Sequence, residues 1–488
     1  MTYLGLDIGT SGLRALLMDS AGGLIGSAEH SYPTAHKTSG WSEQNPADWI
    51  TAIEVTIAEL RATYPAFADL AGIGVAGHMH GAVLLDKDGD VIRPCIMWND
   101  TRSHAEAAAL DNTPEFRAIS GNIVFPGFTA PKLEWLRTHE PQSYARVAKV
   151  LLPAGFVNHY LTGDAVADMS DSAGTSWMDV AARDWSQTLL DASNMRRDQM
   201  PRLVEGCAPA GVLRPDLAIQ WGLNAPVTLA GGAGDNAAAA CGMGVLEEGH
   251  GFVSLGTSGV LLLARDSYAP APDTALHTFC HAVPDRWYQM GVMLSAADSL
   301  SWLSKITSTR AQDLTEELGA GLNAPSSTQF FPYLSGERTP HNDAEIRAGF
   351  TGLGQNTTRA DMTQAVLEGV CFALRDALEA IKSTGGSYTR LYVTGGGSGS
   401  DYWLSLLATV LQIPLHVPEG AQFGAALGAA RLGMAAATDI PLAQILRPAP
   451  TARIIPPDPA LVPAFEAAYA RFRAGYPILK SHPVRGTL

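Results

Sequence analysis

Two copies of one short sequence, Gly9-Thr10-Ser11-Gly12 and Gly256-Thr257-Ser258-Gly259, stand roughly half of the 488-residue chain apart. Each offers backbone N–H groups and two hydroxyls with no bulky side chain in the way, which is what a polyphosphate needs from a protein surface. A single copy reads more simply as a plain hairpin turn. Two facing copies can hold different phosphates of one nucleotide. The copies differ at one chemical position: Asp7 stands two residues before the first, and Ser254 holds the same place before the second. One carboxylate beside a phosphate suits a Mg²⁺ site, whereas two would repel a triphosphate.

Other phosphate motifs fail on inspection. A P-loop needs Gly before Lys-Ser or Lys-Thr, but Lys37, Lys382 and Lys480 follow His36, Ile381 and Leu479. Gly72-Ile-Gly-Val-Ala-Gly77 fits G-x-G-x-x-G, yet turn and strand residues follow it where a dinucleotide site requires a helix. A different glycine-rich turn, Gly231-Gly-Ala-Gly234, leads from a strand into Asp235-Asn236 and an alanine-rich helix. Asp235 there is either a helix N-cap or a carboxylate able to accept the proton of a hydroxyl attacking a phosphoryl group. Gly395-Gly396-Gly397-Ser398 follows a buried strand and lets a base or ribose approach the backbone, or is simply a strand-to-helix turn. Met79-His80 lies between strands, where a lone histidine is ordinarily structural.

These residues need elements to hold them. Apolar runs flank both repeats, Leu4 to Ile8 and Leu13 to Leu17, then Gly251 to Leu255 and Val260 to Leu263, so each half is expected to open with a β-hairpin. The pattern predicts a helix from Asn45-Pro46 to about Arg61 with Trp49, Ile53, Ile57 and Leu60 on one face, and strands over 73–76 and 82–85 joined by a turn. In the second half it predicts a long helix from Asp361 to Lys382, a strand from Arg390 to Thr394 and a helix from about Tyr402 to Leu411. Pro448 to Pro457 closes the second body, and Asp458-Pro459 reads as the N-cap and first position of a last helix running to about Tyr476. The fold expected is α/β, two duplicated domains over residues 1–246 and 247–488.

Composition bounds the function. Hydrophobic residues at 46% and charged residues at 17% support large cores and exclude a disordered chain. Thirty-three Lys and Arg against 48 Asp and Glu give a net charge of −15, which repels nucleic acid while leaving local backbone sites open to a small anion. Five scattered cysteines form no C-x-x-C pair, no signal peptide opens the chain, and no apolar run is long enough to span a membrane. The expected setting is cytoplasmic, with reduced thiols.

The chain resembles the FGGY carbohydrate kinases, relatives of the actin, Hsp70 and hexokinase group, from Asp7 to about Gly433. Asp7-Ile-Gly-Thr-Ser-Gly12 and Ser254-Leu-Gly-Thr-Ser258 look like the family's two phosphate motifs, and Thr394-Gly-Gly-Gly-Ser-Gly-Ser400 like its adenosine motif. Thr129 to Leu136, Gly349 to Leu353 and Asp361 to Glu368 resemble its signature segments. Within the family, Gly40 to Pro46, Met79 to Asp86, Trp98-Asn-Asp-Thr-Arg102 and Gly232-Ala-Gly-Asp-Asn236 are most similar to xylulokinases. His78 departs from the Gln common there, and Met79-His80 differs from the Arg-Glu of glycerol kinases.

The resemblance implies two ribonuclease H-like domains with a cleft between them, and ATP-dependent phosphorylation of D-xylulose to D-xylulose 5-phosphate. Asp235 becomes the catalytic base; Met79, His80, Trp98, Asp235 and Asn236 hold the sugar. Gly9, Thr10, Ser11, Arg14, Gly256, Thr257, Ser258, Gly395, Gly396, Gly397 and Ser400 hold ATP, and Asp7 holds Mg²⁺. A kinase for ribulose or another ketose or polyol, or an Hsp70- or actin-like switch, is the alternative. A homodimer is also admitted.

Overall fold

The computed structural model describes residues 1–419 and 424–481; of the second half, 420–423 and 482–488 lie outside it. The first repeat is the turn of a hairpin, as expected. Strand β1 (Thr2–Ile8) turns into β2 (Gly12–Asp19), with Asp7 opposite Arg14, and β3 (Leu24–Ser31) adds an antiparallel edge. Helix α1 (Pro46–Thr63) follows, capped by Asn45, whose side chain accepts from the Ala47 N–H at 3.2 Å; Trp49, Ile53, Ile57 and Leu60 form its buried stripe. It leads into β4 (Leu70–Gly77), parallel to β1.

The sheet is completed by β5 (Pro209–Val212), β6 (Thr228–Ala230) and the short β7 (Ala233–Gly234) beside β4, in the order β5-β6-β4-β1-β2-β3. Residues 78–208 form an insertion that includes helix α2 (Thr129–His139). There Val83–Leu85 pairs with Lys149–Leu151 and not with β4, so the two strands expected at 73–76 and 82–85 belong to different sheets. Helix α3 (Asp235–Met243) then carries the chain towards the second repeat.

The second half repeats the plan. Strands β8 (His250–Leu255), β9 (Gly259–Arg265), β10 (His277–Cys280) and β11 (Trp287–Met293) precede helices α4 (Ala297–Thr307) and α5 (Arg359–Ser383). Then come β12 (Arg390–Thr394), α6 (Asp401–Leu411), β13 (Leu415–Pro418), α7 (Gly424–Ala437), β14 (Thr451–Ile455) and α8 (Val462–Lys480). The order β10-β11-β9-β8-β12-β13-β14 reproduces the first sheet position for position, with β10 as an added edge, and the parallel and antiparallel pairings match. This is the two-domain, actin-like α/β architecture.

Two expectations need correction. The proline-rich stretch from 448 to 457 does not merely end the second body, because β14 within it pairs antiparallel with β13. Asp458 is not the cap of the last helix: its carboxylate accepts from the Ala460 N–H in a turn, and Pro463 takes the first-turn place expected for Pro459.

The halves meet through glycine. Helix α7 of the second half lies on β1 and β4 of the first and against α3. A Cβ on Gly5 would fall 1.9 Å from the Ala426 carbonyl oxygen, and one on Gly428 only 1.8 Å from that of Ala238. No side chain fits at either contact.

Candidate active site

The first turn presents its amides because its carbonyls are used elsewhere. Gly9 O accepts from Tyr32 Oη at 2.6 Å, Thr10 O from Gln44 Nε2 at 2.6 Å and Ser11 O from the Tyr32 N–H at 3.2 Å. Gln44 is in turn fixed by Trp49 Nε1 at 3.0 Å. Among the described residues, the Thr10 and Ser11 amides donate to no protein acceptor, which suits an anion. Trp98 reaches this turn, its Nε1 donating to Thr10 Oγ1 at 3.1 Å. Arg14 pairs with Glu29 at 2.6 Å and also faces Asp7.

The second turn is arranged in the same way by different neighbours. Gly256 O and Thr257 O each accept, at 2.8 Å, from the amides of Ala297 and Ala296 at the start of α4. Ser254 occupies in β8 the place that Asp7 has in β1, paired with β12 as Asp7 is with β4. Gly395, at φ 90°, presses on this turn: a Cβ there would lie 2.6 Å from the Leu255 carbonyl carbon and 2.8 Å from Gly256 N. Gly396, Gly397 and Ser400 line a cavity of about 560 Å³ with Leu300, Gln312 and Tyr402. Ser400 also caps α6, accepting from the Trp403 N–H at 3.3 Å. Gly395→Ala is expected to raise the KM for nucleotide at least about tenfold and leave that for the sugar unchanged, read by initial rates at varied ATP.

Asp235 is the first residue of α3, and the capping position belongs to Gly234, so the helix end takes only one oxygen of its carboxylate. Among the described residues its Oδ1 accepts only from Asn236, at 2.7 Å from the backbone N–H and 2.9 Å from Nδ2. Burial pushes the Asp235 carboxyl up to about 6. Asp7 stands near enough that burial, with the Asp235 charge added, pushes it up to about 7 against the opposing pull of Arg14.

The loop carrying Asp235 is held from behind by residues that the sequence did not single out. The Gly234 N–H donates to Ser170 Oγ at 3.2 Å, and the Ser170 hydroxyl donates to Asp168, which also accepts from the amides of Ser170 and Asp171. Asp171 is buried with both carboxylate oxygens unpartnered among the described residues; burial, with Asp168 and Asp235 nearby, drives it well above the usual carboxylate range. Only the spacing Asp168-Met-Ser-Asp171 could have flagged this cluster.

Met79 packs on Gly234, where a Cβ would fall 2.8 Å from Met79 Cγ, and takes a contact from Tyr288 Oη at 3.8 Å. His80 sits next to it at φ 70°, a left-handed conformation stabilised by Lys132 Nζ at 2.7 Å and Thr129 Oγ1 at 3.1 Å on its carbonyl. Its Nδ1 lies 2.7 Å from Gly174 O and its ring stacks on Phe128 at 4.4 Å. Burial holds the imidazole down to about 3, so it is neutral; Nδ1–H donates to Gly174 O, and Nε2 is left as an acceptor. His78 packs against Trp49 at 5.6 Å, and neither ring nitrogen has a partner among the described residues.

The chain matches the model of the N-terminal domain of the FGGY family of carbohydrate kinases over residues 2–242, and that of its C-terminal domain over 251–437. The chain belongs to this family. It is 40% identical to the xylulose kinase of Escherichia coli (strain K12) over 97% of this chain and 98% of that relative. Among solved structures, a xyloylose kinase from Brucella ovis aligns with 55% identity and a TM-score of 0.97, covering 99% of this chain and 100% of that one. The xylulose kinase from Rhodospirillum rubrum aligns with 28% identity and a TM-score of 0.91, covering 99% of each. The family accounts for the duplicated plan: two sheets, each opening on a turn with free amides.

Among the described residues, no group of three or more His, Cys, Asp or Glu side chains could hold a metal ion, and no helix is long and apolar enough to cross a membrane. An ion that takes its ligands mainly from phosphate and water needs only one or two carboxylates, which fits Mg²⁺ at Asp7. The raised Asp7 supports this, since a buried carboxylate beside another gains most from a cation.

Proposed function

We propose that this carbohydrate kinase transfers the γ-phosphoryl group of ATP to the 5-hydroxyl of D-xylulose, giving D-xylulose 5-phosphate and ADP. The observation that carries the reading is Asp235: a buried carboxylate beside Gly234, on which Met79 packs, and close to Asp7 at the first amide-bearing turn. The relatives named xylulose kinase support the choice of sugar. His78 lies against Trp49, so its departure from the xylulokinase pattern does not alter the Met79-His80 wall.

Asp235, ionised above about pH 6, accepts the proton of the sugar hydroxyl as its oxygen forms the bond to phosphorus and the bond to the β-phosphate oxygen breaks. Asn236 orients the carboxylate, and Asp168 and Ser170 fix the loop behind it. Neutral His80 accepts from a sugar hydroxyl through Nε2. The Thr10 and Ser11 amides hold the terminal phosphates, the Thr257 and Ser258 turn holds the others, and the cavity beside Gly396 and Gly397 takes adenosine. Asp7 holds Mg²⁺, which when bound neutralises phosphate charge.

The test is a panel of ketoses and polyols with MgATP, read by coupled ADP release. D-xylulose is expected to give the highest kcat/KM, above ribulose and glycerol. A basal ATPase indifferent to every sugar would overturn the reading and favour a nucleotide switch.

A further inference from the structure

The second half brings one charged side chain to the sugar wall that neither the phosphate turns nor the base requires. Arg338 lies in a loop tied to β11: the Thr339 N–H donates to Val292 O at 3.0 Å, and the Val292 N–H to Thr339 Oγ1 at 3.0 Å. Its guanidinium stands 4.4 Å over the ring of Phe125. Phe125 meets Phe128 edge-on at 5.6 Å, and Phe128 stacks on His80. In the other direction His80 adjoins Met79, which packs on Gly234 beside Asp235. One chain of contacts, through Phe125, Phe128, His80, Met79 and Gly234, therefore leads from Arg338 to Asp235.

Among the described residues the half-buried Arg338 guanidinium finds no protein acceptor. Its neighbour Glu337 accepts through Oε1 from the backbone amides of Arg338 at 2.7 Å and Leu294 at 3.3 Å; its Oε2 is buried without a partner among the described residues, and burial pushes the carboxyl up to about 8, so it offers Arg338 no counter-charge at neutral pH. Among the described residues, the guanidinium has no ion pair and no hydrogen bond, only the Phe125 face. Burial pushes it down to about 10, so it keeps its charge at neutral pH, and the rings it faces, His80 and His277, are held neutral. A partly buried cation with no protein acceptor among the described residues favours a ligand that supplies oxygen acceptors.

We infer that Arg338 recognises the end of the sugar remote from the reacting hydroxyl, donating through its planar fork to the C2 carbonyl oxygen and the C1 hydroxyl oxygen of a 2-ketose. Adjacent oxygens on C1 and C2 match two parallel N–H bonds, and a carbonyl, which only accepts, matches a group that only donates. This rests on the ketose kinase reading above and extends it to specificity. It also makes the sugar a link between the halves, since Asp235 and His80 come from the first and Arg338 from the second.

The experiment compares D-xylulose with 1-deoxy-D-xylulose in the parent and in Arg338→Gln, by kcat and KM for each sugar. The parent is expected to prefer D-xylulose by about tenfold or more in kcat/KM. In Arg338→Gln, D-xylulose activity falls by about 10²-fold, chiefly through KM, and the ratio between the two sugars collapses to about 1, with the KM for ATP unchanged. Equal losses on both sugars, leaving the parental ratio intact, would mean a purely structural role and overturn the inference; so would a parental ratio near 1. Should Arg338→Gln fold poorly, Arg338→Lys keeps the charge without the fork and is read by the same ratio. A parent that turns over no ketose overturns the ketose reading itself, a result distinct from an unchanged ratio.

Discussion

Asp235→Asn is expected to cut sugar-dependent ADP release by about 10²–10⁴-fold while leaving the fold and the KM for ATP nearly unchanged. Asparagine keeps the shape and can still accept from the Asn236 amide, so only the capacity to take a proton is lost. The same carboxylate sets the pH dependence. Burial raises it to about 6, and the base form is the ionised one, so at saturating MgATP, which keeps Asp7 ionised, kcat/KM for the sugar should rise with pH through about 6 and level off above, while at limiting MgATP Asp7 adds a second rise near 7. His80, at about 3, contributes no limb in this range. The measurements are the pH profile of the parent and the residual rate of the variant, with melting curves to establish that it is folded. Near-parental turnover in Asp235→Asn would remove Asp235 from the chemistry.

What the sequence made legible was local. Both hairpins, the Asn45 cap and the Trp49 stripe follow from short-range pattern, and so does the helix predicted from Asp361, which begins at Arg359 because Thr358 and Asp361 form a capping box. The partners that organise the site are separated along the chain and could not be read that way. Gly234 finds Ser170, Trp98 finds Thr10, and α7 crosses to β1, each through a contact that exists only after the sheets have formed. Val83–Leu85 has strand chemistry but gives no sign of which strand it will join. Asp458-Pro459 satisfies the helix-start rule as well as the true start does, but there Asp458 closes a turn, its carboxylate accepting from the Ala460 N–H and its carbonyl from those of Leu461 and Val462. The Asp235 carboxylate, the proposed base, was visible as a motif; that Gly234 takes the cap position was not.

Asp7 and Ser254 test whether the duplicated turns have diverged in charge for a reason. Asp7→Asn keeps size and hydrogen bonding but removes the one carboxylate placed to hold Mg²⁺, so turnover at limiting Mg²⁺ should fall by about 10²-fold, with sugar affinity little changed. Stability should move the other way. The folded Asp7 is raised to about 7 by burial and by Asp235, above its unfolded value near 4, so its contribution is fully present below that value and is lost as pH rises through about 7. Without nucleotide, Asp7→Asn should therefore melt higher than the parent at pH 8, by about 2–4 °C, and the gain should shrink as the pH is lowered towards 4. With saturating MgATP the parent should overtake the variant, because the ligand stabilises the form that binds it. Ser254→Asp places a carboxylate in the equivalent strand of the second half, beside phosphates with no metal assigned to it, and should weaken MgATP binding by about tenfold or more through repulsion in a partly desolvated site. Full activity of Asp7→Asn at limiting Mg²⁺, or unimpaired MgATP binding by Ser254→Asp, would show that the two turns do not divide the phosphates by charge.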